Sequence, residues 1–327
     1  MKIEVMNIRT PVSWMGNKTS ILRILYAVFP LHYERYIEPF GGSGAVLLGK
    51  NKPDKFEVYN DVNHNLVNLF RCMRDRPIAL IDELGYFNLN SREEFNSIKK
   101  FFTNEKFNDR FIDDEIEKIQ NIFDKPTADE LIELMISKKL DYDLRRAAMY
   151  LKLLRYSYSS GGKSFACQPM NIRRLFGLIQ DVSIRLDNTV IENQDFEVLI
   201  KHYDRDNSFF YCDPPYYTSE YVYQCGFTWD DHLRLREALR NAKGKWLVSY
   251  NDCQEIRDLY KGSSFADFTR VHSMKQRTNA GEQFPELLIS NYDMCERFNS
   301  KPLQLSLFDY TNEEQMTIEK ILKECII

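Results

Sequence analysis

Alternating strand and helix patterns predict an α/β fold: a doubly wound, mostly parallel sheet interrupted by a helical insertion. Three observations carry this. Short apolar runs end in turn residues and lead into helical periodicity; a long middle stretch shows few strand signals; the strand–helix alternation then resumes.

The early strand runs are "RYIEPFGGSG" (Arg35–Gly44) and "KFEVYND" (Lys55–Asp61). From about Cys72 to Asp187 the pattern is helical. Ser91 and Glu94 fit a capping box with Phe95, Ile98 and Phe102 on one face, and "LRRAAMYLKLLRY" (Leu144–Tyr156) runs into the turn-forming "SYSSGGKS". Four later strands follow: "NTVIENQDF" (Asn188–Phe196), "SFFYCDPPY" (Ser208–Tyr216), "KWLVSYND" (Lys245–Asp252) and "ELLISNY" (Glu286–Tyr292). Thr228 with Asp231 marks a helix start, and Gly244 is placed to stop that helix. The expected division is 1–71 with 188–298 as one domain, 72–187 as the insertion, and 299–327 as a tail.

Composition narrows the function classes. Aromatic content of 13% and charged content of 28% exclude a disordered chain. No apolar run is long enough to span a membrane and the start lacks a signal-peptide core, so no membrane partner is expected. Seven irregularly spaced cysteines, none in a CxxC pair, suggest reduced thiols in a cytoplasmic setting; with five histidines they argue against a zinc site, and no metal is expected. A net charge of −4 means that any nucleic-acid surface is a local patch.

"EPFGGSG" (Glu38–Gly44) stands between the first strand and an apolar helical stretch. Glycines there let a ligand approach the backbone, and a helix N-terminus offers unpaired N–H groups, although the same residues also suit a tight turn. "GNKTS" (Gly16–Ser20) lacks the GK pair of a phosphate loop and a preceding strand, which excludes an NTPase. Asp61 ends the second strand, where a carboxylate either holds a ribose or caps the next helix. In "FFYCDPPYY" (Phe209–Tyr217), Pro214 and Pro215 forbid the sheet from continuing, so Asp213 is the last side chain before the loop. Ligands of doubly wound sheets sit where strand order reverses. If the first and the "FFYC" strands flank that point, the glycine loop and Asp213 share one crevice.

With these pieces in order, the chain resembles the Dam-like, D12-class DNA adenine-N6 methyltransferases, with the cofactor motif ahead of the catalytic one. The resemblance rests on "SWMGNKTSIL" (Ser13–Leu22), "EPFGGSG", "YNDVNHNLVNLF" (Tyr59–Phe70), "NQDF" (Asn193–Phe196) and "DPPYY", and extends to about Tyr292. It implies a Rossmann-like methyltransferase sheet, an insertion that selects the DNA sequence, and S-adenosylmethionine as cofactor, with S-adenosylhomocysteine as product. By position, Trp14 and Lys18 fall near the methionine part, with Lys18 suited to a carboxylate. Phe40, Gly42 and Gly44 match the FxGxG loop, Asp61 the ribose acceptor, and Asp195 and Phe196 the pair that holds the cofactor adenine.

The implied chemistry explains the acid–proline–proline–tyrosine loop. Asp213 and the Pro214 carbonyl each accept one N–H of an adenine amino group, which localises its lone pair; Tyr216 offers a stacking face, and Pro215 stiffens the loop. An adenine inside a duplex must first be flipped out. DNA contact is expected from Arg155, Tyr158, Lys163, Arg173 and Arg174 in "LLRYSYSSGGKSFACQPMNIRR", and from Lys275 and Arg277 in "MKQRTNAGE". In the tail, "QLSLF" (Gln304, Leu305, Leu307 and Phe308 its anchors) is similar to peptides that dock on the bacterial sliding clamp. The reading is a site-specific methylase of a bacterial or phage type, from a restriction–modification system or free-standing, acting in the cytoplasm. A methylase of cytosine N4 or of a protein amide, and a catalytically silent DNA-binding subunit, are the competing readings.

Overall fold

Seven strands form one sheet in the order β3-β2-β1-β4-β5-β7-β6. The computed structural model describes residues 8–14, 16–85, 91–103, 110–141, 143–158, 162, 164–166, 171–217, 226–271, 283–296, 311, 314 and 316–318. They fall into two units, Met1–Val67 with Asn188–Ile327, and Asn68–Asp187.

The first unit holds the sheet: β1 (Arg35–Glu38), β2 (Phe56–Asn60), β3 (Thr189–Glu192), β4 (Ser208–Cys212), β5 (Lys245–Asn251), β6 (Ser264–Val271) and β7 (Gln283–Ser290). The first five strands are parallel to one another, and β7 runs antiparallel to both β5 and β6. Strand β1 pairs with β2 on one side and β4 on the other, so strand order reverses between β1 and β4, as the sequence led us to expect. The edge strand β6 is absent from the sequence reading, and β7 starts three residues earlier than expected, because antiparallel pairing over Ser264–Val271 completes both.

Side-chain alternation sorts the strands onto two faces. Ile37, Val58, Phe210, Cys212, Val248, Tyr250, Leu287 and Ile289 pack in one core with α10 (Phe196–Tyr203), α11 (Trp229–Arg240) and α12 (Gln254–Leu259). On the other face Tyr36, Phe209 and Tyr211 gather around Phe29, which follows α1 (Leu22–Val28). Helix α11 starts with the expected Thr228–Asp231 capping box but ends at Arg240, capped by Asn241 rather than stopped by Gly244. Gly244 has another reason to be glycine: a Cβ there would stand 2.7 Å from the Ser208 carbonyl oxygen.

The second unit is helical: α4 (Pro77–Leu84), α5 (Arg92–Thr103), α6 (Arg110–Ile122), α7 (Thr127–Asp141), α8 (Leu144–Tyr156) and α9 (Arg174–Leu186), with most of α3 (His64–Asp75). Ser91 caps α5 by accepting from the Glu94 N–H at 3.0 Å, and Asp143 caps α8 through the Arg146 N–H at 2.8 Å. A small antiparallel hairpin follows α8, with the Tyr158 N–H on the Ser164 carbonyl and the Ala166 N–H on the Tyr156 carbonyl. Among the described residues no helix is long and apolar enough to cross a membrane.

Candidate active site

The glycine loop follows from what surrounds it. Gly42 and Gly44 have positive φ, +50° and +67°, which side-chain-bearing residues rarely adopt. Gly41 must be glycine for space, since a Cβ would lie 2.3 Å from the Tyr59 ring. The Tyr59 hydroxyl and the Gly42 N–H then tie the loop to β2, the first to the Gly42 carbonyl at 2.7 Å and the second to Asp61 at 2.9 Å. Gly42, Phe40 and Trp14 all line the cleft, and the Trp14 ring lies over Gly42; Gly44 turns the chain into α2 (Ala45–Leu48).

Asp61 does not cap α3. Asn63 does, accepting from the Leu66 N–H through its side chain at 3.2 Å, while Asp61 accepts from the Asn63 and Gly42 N–H groups. Burial raises the Asp61 carboxyl from its ordinary value to about 6, with the two backbone donors acting against that rise. Asn60 clips the floor of the cleft by donating to the Pro39 and Gln194 carbonyls and accepting from the Gln194 N–H.

At the far end of the cleft, Asp195 caps α10 through the Glu197 N–H at 2.9 Å and pairs with Arg234 at 2.8 Å. Phe196 lies beside Phe40 and Phe227, with ring centroids 5.3 and 5.8 Å away. Phe227 lines the cleft but escaped the sequence reading; its signal is its place just before the capping-box residue Thr228.

Asp213 continues the alternation of Phe209 and Tyr211 past the end of β4. Lys18, 3% exposed, puts its ammonium 2.6 Å from both Asp213 carboxylate oxygens and 3.1 Å from the Gly16 carbonyl. It also stands 4.9 Å from the Tyr216 ring centroid. The carboxylate expected near Lys18 belonged to a ligand; the one beside it here is the chain's own. Ser249 on β5 donates to Asp213 Oδ1 at 3.0 Å, and the Tyr216 hydroxyl donates to the buried Glu286 on β7. Glu38, at the end of β1, also lines the cleft and accepts from the Tyr36 hydroxyl. Burial raises its carboxyl to about 8; Tyr36 and Lys50 oppose the rise, and Glu57 and Asp213 add to it.

The remaining expected residues stand apart in the sequence. In the helical unit Tyr158 is 66% exposed on the hairpin, and Arg173 and Arg174 are exposed where α9 begins. Arg155 is half-buried in α8, and burial pulls its guanidinium below the ordinary value. Lys163, Lys275, Arg277, Gln304, Leu305, Leu307 and Phe308 lie outside the described residues. Among the described residues no group of three or more His, Cys, Asp or Glu is placed to hold a metal ion.

Comparison with known proteins agrees with this geometry. The pattern of the D12 class N6 adenine-specific DNA methyltransferases matches residues 14–279. The type II methyltransferase M1.LlaDCHI of Lactococcus lactis is 26% identical, over 88% of this chain and 96% of its own length. M.MjaIII of Methanocaldococcus jannaschii is 27% identical, over 88% of this chain and 100% of its own. The retron Ec67 DNA adenine methylase of Escherichia coli is 26% identical, over 83% and 85%.

Proposed function

The chain belongs to the D12 class of N6 adenine-specific DNA methyltransferases and methylates adenine in DNA at the expense of S-adenosylmethionine, and from that premise we propose how its cleft divides the work. The observation that carries the proposal is the convergence on one cleft of the glycine loop, Asp61 and Asp213, from the carboxyl ends of β1, β2 and β4.

The cleft suits a nucleoside-bearing cofactor. Gly41 and Gly42 let the loop backbone lie close under the Tyr59 and Trp14 rings, Asp61 is a half-buried acceptor at the strand end, and Phe40, Phe196 and Phe227 form an aromatic wall. We assign the ribose hydroxyls to Asp61, the cofactor adenine to Asp195 and Phe196, the backbone approach to Phe40, Gly42 and Gly44, and the methionine part to Trp14 and Lys18. The bound cofactor supplies an electrophilic methyl group. Asp213 and the Pro214 carbonyl each accept a hydrogen bond from one N–H of the target amino group, and Tyr216 stacks on the flipped base. Transfer is then a matter of positioning, with no covalent enzyme intermediate.

The helical unit Asn68–Asp187 is assigned to target recognition within a short sequence of double-stranded DNA. Tyr158, Arg173 and Arg174 supply exposed contacts, Arg155 a half-buried one, and Lys163, Lys275 and Arg277 further charge. Gln304, Leu305, Leu307 and Phe308 are assigned to a sliding clamp, and the enzyme to the cytoplasm. Equal recovery on clamp beads of wild type and the Leu307→Ala, Phe308→Ala double variant would end the clamp assignment.

The test of the reaction is nucleoside mass analysis of duplex DNA incubated with protein and S-adenosylmethionine. N6-methyladenine from the wild type and none from Asp213→Ala is the expected result. N4-methylcytosine, or equal N6-methyladenine from both proteins, would overturn the assignment.

A further inference from the structure

We propose that Ser249, backed by Tyr211, is a positioning residue that fixes the orientation of the Asp213 carboxylate for the incoming amino group. The inference deepens the reading of Asp213 as an amine acceptor and rests on it. Strands β4 and β5 are parallel with Tyr211 beside Leu247 and Cys212 beside Val248. One step further along the same register brings Asp213 beside Ser249. The strands therefore deliver a hydroxyl to the carboxylate that must be held.

The hydrogen bonds agree with the register. Ser249 is fully buried; its hydroxyl lies 3.0 Å from Asp213 Oδ1 and 3.1 Å from the Tyr211 hydroxyl. A serine hydroxyl has one proton to give and lone pairs to receive. A carboxylate only accepts, so the serine proton goes to Asp213 and the Tyr211 proton goes to Ser249. The chain Tyr211 to Ser249 to Asp213 has one direction. Burial raises the Tyr211 hydroxyl well above its ordinary value, which keeps the outer donor protonated.

Lone-pair accounting shows what this does. Two carboxylate oxygens offer about four acceptor positions. Among the described residues, Oδ1 accepts from both Ser249 and Lys18, whereas Oδ2 accepts from Lys18 alone. Ser249 thus commits Oδ1 to the protein and leaves Oδ2 with room for an N–H of the substrate. Lys18 contacts both oxygens at 2.6 Å and does not distinguish them. Ser249 does. Without it the carboxylate can rotate about its χ2, a broad torsion, and lose its aim.

A positioning role affects turnover rather than affinity. The experiment measures kcat and KM with adenine-unmethylated plasmid DNA and tritiated S-adenosylmethionine for Ser249→Ala, Ser249→Thr, Tyr211→Phe and the Ser249→Ala, Tyr211→Phe pair. Ser249→Ala is expected to lose about tenfold in kcat, the scale of one hydrogen bond to a charged group. Both KM values should stay within about twofold, and Ser249→Thr should recover most of the loss. Tyr211→Phe should lower kcat less, and the double variant should fall no further than Ser249→Ala, because both act through one chain. Should Ser249→Ala fail to fold, Tyr211→Phe carries the test alone, since its ring keeps its place against Phe29, 5.9 Å away. A kcat within about twofold of wild type in Ser249→Ala, strict additivity of the pair, or an unchanged kcat in Tyr211→Phe would overturn the inference. Asp213→Ala, run in parallel, separates the two levels: if it is inactive while Ser249→Ala is fully active, the acceptor reading stands and the positioning role falls.

Discussion

The Lys18 ammonium sits 2.6 Å from each oxygen of the Asp213 carboxylate, joining the segment before α1 to the end of β4. With Lys18 3% and Asp213 20% exposed, this pair is far better shielded from water than an ordinary surface ion pair. Lys18→Met keeps length and packing but removes the charge. It should lower stability by roughly 2 kcal/mol, the scale of a hydrogen bond to a charged group, and reduce kcat. Lys18→Arg should not restore kcat, because a planar guanidinium cannot reproduce a compact ammonium over two oxygens and a ring face. Denaturant titration with single-turnover kinetics checks both.

The ribose role proposed for Asp61 predicts a pH dependence of cofactor binding. Burial raises it to about 6, so below that pH the proton occupies oxygens that the Gly42 and Asn63 N–H groups and a ribose need. Affinity for S-adenosylhomocysteine should therefore weaken as pH falls through about 6 and level off above it. Asp61→Asn should bind roughly tenfold more weakly at neutral pH and be flat across that window. Calorimetric titration at several pH values checks this; a wild-type affinity independent of pH would count against it.

Glu38 acts on stability instead. Its folded value is raised to about 8 against an ordinary 4.5, mainly by burial. Between those values the folded chain holds a proton that the unfolded chain has released, so stability falls as pH rises through the window. Glu38→Gln removes the titration and keeps an acceptor for the Tyr36 hydroxyl. Its Tm should hold where that of the wild type declines, so that the variant gains on the wild type towards pH 8. Parallel declines would remove Glu38 as the cause.

Two glycines give opposite outcomes. Gly41→Ala drives a Cβ to within 2.3 Å of the ring of Tyr59, which is fully buried and has no room to retreat. It should cost roughly 1–3 kcal/mol, as overpacking does. Gly177 lies inside α9 with nothing within 4 Å of a built Cβ. Gly177→Ala should stabilise by roughly 0.5–1 kcal/mol through helix propensity. Urea midpoints separate the two.

The cleft was legible in the sequence where one segment carries both its scaffold and its chemistry. The glycine loop, "YND" and "DPPYY" each sit where a strand ends, and glycines mark that end in the first and prolines in the last. Asp61 was ambiguous because a carboxylate at a strand end serves as cap or ligand acceptor, and only the place of Asn63 removes the cap. Ser249 and Glu286 were invisible because their meaning depends on register: Ser249 reaches Asp213 only because β5 lies beside β4, and Glu286 reaches Tyr216 from an antiparallel strand. Strand β6 escaped for a related reason, since "SFADFTRV" mixes polar and apolar residues and is fixed by pairing with β7.

The measurement that tests the central claim most directly is methylome sequencing of DNA from a methylation-deficient host expressing this protein or its Asp213→Ala variant. N6-methyladenine in one short motif with the wild type, and none with the variant, is the predicted result. Unmodified adenine with a folded, cofactor-binding wild type, or the same motif methylated by both proteins, would contradict it.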